Sequence, residues 1–283
     1  MNLDALPLDK QVGLFFKHTD LIRRFVGDRI IPVLQRRIKA GLNHTEEAIM
    51  LTYFRMYYWI DSLSRLSELR DFQAINAAAR AIFELGLDMQ LLVNDRTGSM
   101  GDKFHAFRSV HMFAVARKCT RFCDGASSTA SPAHDDMRQL LAKPNEDKRV
   151  ETLRRKHWGL NNKGELIEPG HWTGMDARKR AKELDKLLGT EHEKEYVEDY
   201  ARLSWHVHSG SLGFANLPLT YFKSVFATAH GIARHKFTEA TQACVQAMHI
   251  DDALSGWEEE LGNLEAQLLI STWEQHRSQG GDG

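Results

Sequence analysis

The sequence predicts an all-α protein, a multi-helix bundle of long antiparallel helices joined in one place by an irregular loop rich in Trp and Gly. Three observations predict it. Only six prolines occur in 283 residues. The β-branched alternation that marks half-buried strands is rare. Long segments instead repeat apolar residues at intervals of three and four, the period of an amphipathic helix.

Taken in order, the first helical region is expected over about Leu8–Ala40, on a stripe containing Val12, Phe15, Phe16, Leu21, Ile22, Phe25 and Ile30. Pro32 is expected to kink or split it, because proline removes an N–H from the ladder. Gly41 ends it, and Asn43 or Thr45 caps the next helix, about Thr45–Arg70, whose Tyr53, Phe54, Tyr57 and Tyr58 read as core aromatics. Asp71 is expected to cap a helix over Gln73–Val93, closed by Asn94, Asp95 and Thr97-Gly98. A helix over about Asp102–Cys123 follows, with His105 and His111 too poorly spaced to ligate together. Gly125–Pro132 reads as a small-residue loop and the best candidate for a mobile segment. Helix is expected again over Asp135–His157. Trp158–Gly174, with Gly159, Asn161, Gly164, Pro169 and Trp172, reads as an ordered irregular connection. Helices are then expected over about Asp176–Leu188, Glu191–His208, Pro218–Met248 and Asp251–His276, with a frayed SQGGDG tail. Three segments organise the chain: residues 1–70 pack on a central stretch 71–213, and 214–283 adds the C-terminal helices, all read as one continuous domain.

Composition excludes several classes. Lys and Arg number 37 against 38 Asp and Glu, so any nucleic-acid binding must use a local basic patch. No run of eighteen apolar residues marks a membrane span, and the N-terminus lacks a secretory pattern. Cys119, Cys123 and Cys244 form no paired motif, so reduced thiols and a cytoplasmic location are expected. No cofactor is expected.

The most informative stretch is the helix over Gln73–Val93. It is apolar nearly all round, as a buried helix is, yet Asn76, Arg80, Glu84 and Asp88 recur at every fourth position and so share one stripe. Charges on that stripe need partners, water or a ligand. Arg80 and Glu84 at i,i+4 read equally as a structural ion pair or as part of a site. The second informative stretch runs from Tyr200 to Gly213. It holds Arg202, Ser204, His206 and His208, with His208 near a helix end where an imidazolium is favoured and general acid/base work is possible.

These residues resemble a bacterial family, the domain of unknown function numbered five-six-seven-seven. The resemblance rests on Arg80 and Glu84 in an apolar helix, then Trp172 and Arg178, then Tyr196, Tyr200, Leu203, Ser204 and His208 before small residues. It covers about Asp71–Gly213 and implies a helical fold and candidate site residues rather than an activity. The same region has a more distant resemblance to the HEPN superfamily (higher eukaryotes and prokaryotes nucleotide-binding). Many of its helical members are metal-independent ribonucleases of toxin and antiphage systems, with an arginine followed within two turns by a histidine. Arg202 and His208 meet that spacing; Leu203 stands where the superfamily prefers a polar residue.

The HEPN resemblance implies RNA as a partner and a homodimer that could pair two sites in one cleft. His208 would then act as general base or acid, Arg202 and Arg80 would stabilise charge on the phosphate, and Glu84 would orient a neighbour. Asp88, His206 and the basic run Arg178, Arg180 and Lys182 complete the expected binding set. Two other readings of the same residues stand beside this one. Glu84 and Asp88 with His206 or His208 would suit a metal-dependent hydrolase. Alternatively, the seam is an internal polar network of a non-enzymatic interaction module.

Overall fold

The computed structural model describes residues 6–66, 68, 71–125, 132–208 and 219–278; for 125, 132–134, 205–208 and 219 it describes the backbone alone. The fold is all-α. Among the described residues the one β-type contact is an isolated antiparallel bridge between Leu160 and Leu166. Among the described residues no helix is long and apolar enough to cross a membrane. The chain forms two compact units, residues 1–94 with 181–283, and residues 95–180.

In the first unit, α1 (Leu8–Phe25) runs through a π-helical turn, Val26–Ile30, into α2 (Ile31–Lys39). Pro32 neither ends nor splits the helix. The Ile31 N–H reaches back five residues to the Val26 carbonyl, so the ladder has already widened just before the residue that cannot donate. α3 (His44–Leu63) starts on a capping box: the Asn43 side chain accepts from the Glu46 N–H, and the Glu46 carboxylate accepts from the Asn43 N–H. It stops short of the expected Arg70. Ser62 and Ser64 turn their hydroxyls onto the carbonyls of Tyr58 and Asp61, the local competition that weakens a helix end.

α4 (Phe72–Val93) is the expected buried helix, with Ile75, Ala79, Ile82, Phe83, Met89 and Leu92 all in the core. Asp71 precedes it but does not cap it; its carboxylate accepts the Glu68 N–H instead. α4 packs on α3, on α10 (Ala201–His208) and on α11 (Leu219–Ala247). The centre of this unit therefore draws on all three sequence segments. A Cβ at Gly86 would stand 3.4 Å from the Lys236 stem, so the small residue lets α4 and α11 approach closely. A short α9 (His192–Glu195) and a π turn, Tyr196–Tyr200, lead into α10. α12 (Trp257–Ser278) packs on α1. It begins later than expected because Gly256, at φ 74°, separates it from a 3₁₀ turn at Asp252–Leu254. Pro218, expected to open α11, lies outside the described residues.

In the second unit, α5 (Met100–Gly125) opens beneath Asp95, whose carboxylate accepts the Met100 N–H. The single helix expected over 135–157 is two, α6 (Pro132–Ala142) and α7 (Glu146–His157). Pro144 cannot extend the ladder, and Asn145 takes the left-handed conformation, φ 60°, that turns the chain. Val110, Phe113 and Val150 form a small core against Leu141, Leu153 and Trp158. The connection over 158–176 is irregular and ordered, as expected. The Trp158 indole donates to the Trp172 carbonyl, and Arg154 donates to the carbonyls of Leu166 and Ile167. The loop expected to be mobile falls at 126–131, outside the described residues. α8 (Ala177–Leu188) contains the boundary between the units.

Candidate functional site

The polar seam of α4 meets the segment that carries α10. Tyr200, the last residue of its π turn, is buried, lies with its ring 5.2 Å from that of Phe83 and stacks at 4.7 Å on Tyr196. Its hydroxyl donates to Glu84 Oε1 at 2.5 Å. Arg80 Nε donates to the Tyr200 hydroxyl at 2.8 Å and to the same Glu84 oxygen at 3.2 Å, and its guanidinium carbon lies 5.2 Å from the ring centroid. Burial pushes the Tyr200 phenol up, and its bond to the Glu84 carboxylate pushes it further. Burial pulls Arg80 down, but Tyr200 and Glu84 outweigh it and leave the guanidinium raised. Tyr200 is thus a fixed donor and not a nucleophile. The triad ties the segment before α10 to α4 and satisfies both charges.

One turn earlier on the seam, Asn76 faces a cavity of about 240 Å³ between α4, α10 and α11. Arg202, Leu203, Tyr221, Ser224, Val225 and Thr228 complete its wall. Asn76 is fully buried. Its Nδ2 donates to the Phe72 carbonyl at 2.6 Å, which fixes the amide, and its Oδ1 receives no donor among the described residues. A buried acceptor left in that state costs about 1–3 kcal/mol unless water or a ligand supplies the proton. Arg202 is exposed above it. Burial raises Asp199 against the opposing pull of the Arg202 charge, and Glu195 and Glu198 raise it further. The cavity therefore combines an open cation, an unanswered acceptor and three hydroxyl-bearing side chains.

The remaining expected residues fall as follows. Asp88 is buried on α4, and Ser204 is partly buried on α10. His206 and His208 lie on α10, but their side chains are outside the described residues. Arg178 and Arg180 belong to the second unit: Arg178 is exposed, whereas Arg180 is buried rather than presented on a basic face. Lys182, in the first unit, pairs with Glu193 at 3.2 Å. Among the described residues no group of three or more His, Cys, Asp or Glu is placed to hold a metal ion.

A second polar cluster was not anticipated from the sequence. Lys236 of α11 is buried, with Nζ 2.7 Å from Glu195 Oε2, 2.9 Å from Glu239 Oε2 and 3.5 Å from His192 Nδ1, and 5.9 Å from the Phe83 ring. Burial would raise Glu239, but the bonds from His235 and Lys236 outweigh it and hold the carboxyl at about 2. The spacing of His235, Lys236 and Glu239 on one helix was a visible signal. The partner Glu195, forty-one residues earlier, was not. Comparisons with family models, with curated proteins and with solved structures return no match, so the chemistry of these residues carries the functional argument.

Proposed function

We propose that the protein is a metal-independent endoribonuclease whose site is the mouth of the Asn76–Arg202 cavity. The observation that carries this reading is the pairing of an exposed Arg202 with the unanswered Asn76 oxygen in one cavity wall. Arg202 suits a phosphodiester: its planar fork binds two phosphate oxygens and stabilises the charge that builds on them during attack. His208, two turns along α10, supplies the proton transfer. It takes the proton of a ribose 2′-hydroxyl; the 2′-oxygen bonds to phosphorus; the bond from phosphorus to the 5′-oxygen breaks; and that oxygen takes up a proton. The products are a 2′,3′-cyclic phosphate and a 5′-hydroxyl. Leu203, where HEPN proteins prefer a polar side chain, is buried and forms apolar wall, so Arg202 and His208 must act without help from that position. Arg80, Glu84 and Tyr200 hold α10 in place and are positioning residues.

The test is cleavage of single-stranded RNA in the presence of a chelator. Wild-type protein should cleave and leave cyclic-phosphate ends, and Arg202→Ala and His208→Ala should each lose about 10²-fold or more. Equal activity in wild type and His208→Ala removes the reading. One observation favours a second reading, an internal polar network in a non-enzymatic interaction module. The Arg80–Glu84–Tyr200 triad is mutually satisfied without any ligand. No cleavage by the wild type, together with a lowered melting temperature of Glu84→Gln, would select it.

A further inference from the structure

We propose that the second unit carries a separate binding pocket for a phosphate group, on the face shared by α5 and α7. Residues 95–180 contain 17 Lys and Arg against 11 Asp and Glu, a net +6, while the rest of the chain contains 20 against 27, a net −7. The near-neutral total thus hides a basic unit. Its excess gathers at a cavity of about 190 Å³ with an apolar floor of Val110, Phe113 and Val150 and a rim of Arg117, Lys118, Arg121, Arg154 and Glu168. Four cations against one carboxylate leave three positive charges in excess.

The four cations are not equivalent. Arg154 is held by its bonds to the Leu166 and Ile167 carbonyls, so its guanidinium is fixed in advance. Lys118 pairs with Glu168 at 2.8 Å. That bond holds the Glu168 carboxyl down against burial, with Arg154 and Arg117 adding to the effect. The single carboxylate is therefore already in use. Arg117 and Arg121 are exposed and make no hydrogen bond or ion pair among the described residues. Standing four apart on α5, they repel each other, a cost that an anion between them reverses. Two arginine forks and a fixed third suit the several oxygens of a phosphate better than a single-charge anion. The apolar floor suits the carbon frame attached to it. The phosphate could belong to a free sugar phosphate or nucleotide, or to an RNA backbone. The pocket does not depend on the cleavage reading, since none of its residues lies on α4, α10 or α11.

The test is titration calorimetry of the full chain with pyrophosphate, ribose 5-phosphate and a short single-stranded RNA, in wild type and in Arg117→Ala/Arg121→Ala. Both side chains are exposed and unbonded, so the double variant should melt as the wild type does. Arg121→Gln alone serves if it does not. Wild type should bind at least one probe saturably, more weakly as salt rises, and the double variant should lose about tenfold or more in affinity, with a smaller loss for Arg121→Gln. Binding of the small probes assigns a free ligand, and binding of RNA alone assigns a strand; either supports the pocket. No saturable binding by wild type, or equal binding by the variants, overturns it.

Discussion

The interior of the first unit and the rim of the pocket in the second handle positive charge in opposite ways. Lys236 is buried and meets two carboxylates and an imidazole; Arg80 meets Glu84 and the Tyr200 hydroxyl. Arg117 and Arg121 make no hydrogen bond or ion pair among the described residues, the one carboxylate of their rim, Glu168, being taken by Lys118, and Arg202 stands exposed over a cavity. The difference separates two uses of a cation. A cation whose bonds are all made within the chain holds elements together, and removing it leaves its partners stranded. A cation left open costs little to remove and is informative only when a ligand arrives. Stability measurements and binding or cleavage measurements should therefore sort these residues into two groups that do not overlap.

The largest expected effect is at Lys236. Lys236→Ala leaves Glu195 and Glu239, 32% and 34% exposed, facing each other with only His192 and His235 as partners. Breaking a fully buried pair from one side costs about 3–5 kcal/mol, and solvent screening of the carboxylates puts this variant at the lower end of that range. Lys236→Met combined with Glu195→Gln and Glu239→Gln removes the stranded charge as well and should recover a large part of that loss in a denaturant melt. If the single and triple variants are equally unstable, the cluster is packing and not charge balance.

Next in size is a pH effect on the closed interior. His230 of α11 bonds through Nδ1 to the Thr19 hydroxyl at 2.7 Å, and burial lowers its pKa to about 4 from an ordinary 6.5. The folded protein keeps this ring neutral while the unfolded chain protonates it. The stability it contributes is complete above pH 6.5 and is lost as pH falls toward 4. The total is about 3 kcal/mol, at 1.36 kcal/mol per pKa unit. Unfolding free energies measured at intervals between pH 7 and 4 should show this slope, and His230→Gln should flatten it. An unchanged slope in the variant would place the acid sensitivity elsewhere.

These nodes also show what the chain alone could and could not disclose. The all-α class, the buried α4 and its seam followed from apolar spacing, because a helix that is greasy on every side has one place to go. Asn43 was one of two cap candidates on local chemistry, with Thr45, and the structure selects Asn43 paired with Glu46. Pro144 carries an equally local signal, the stop between α6 and α7. Tyr200 was legible as a residue of interest, but not as Glu84's donor, since that contact joins residues 116 apart in sequence. Lys236 with Glu195, and His230 with Thr19, were hidden for the same reason: a polar residue on an apolar face looks alike whether its partner is water, a ligand or a distant side chain. The charge division between residues 95–180 and the remainder was present in the composition, but it needs the unit boundary to be seen.

The smallest stability effect, and the sharpest test of the comparison, pairs Tyr200→Phe with Arg202→Ala. These residues are two apart on one continuous helical run, yet they fall in opposite groups. Tyr200→Phe removes the donor to Glu84 and the acceptor for Arg80 while keeping the ring on Phe83 and Tyr196, so it should cost about 1–2 kcal/mol. Cleavage in the folded protein should survive in part, because the hydroxyl touches no substrate. Arg202→Ala removes an exposed side chain from a cavity wall and should change stability by less than about 0.5 kcal/mol, while abolishing RNA cleavage and any RNA binding at that site. Arg202→Lys separates charge from shape: a point charge keeps the attraction to phosphate but loses the fork, so it should restore binding more than turnover. If Arg202→Ala proves as destabilising as Tyr200→Phe, the guanidinium is a structural member like Arg80, and the open half of the comparison has no occupant in the first unit.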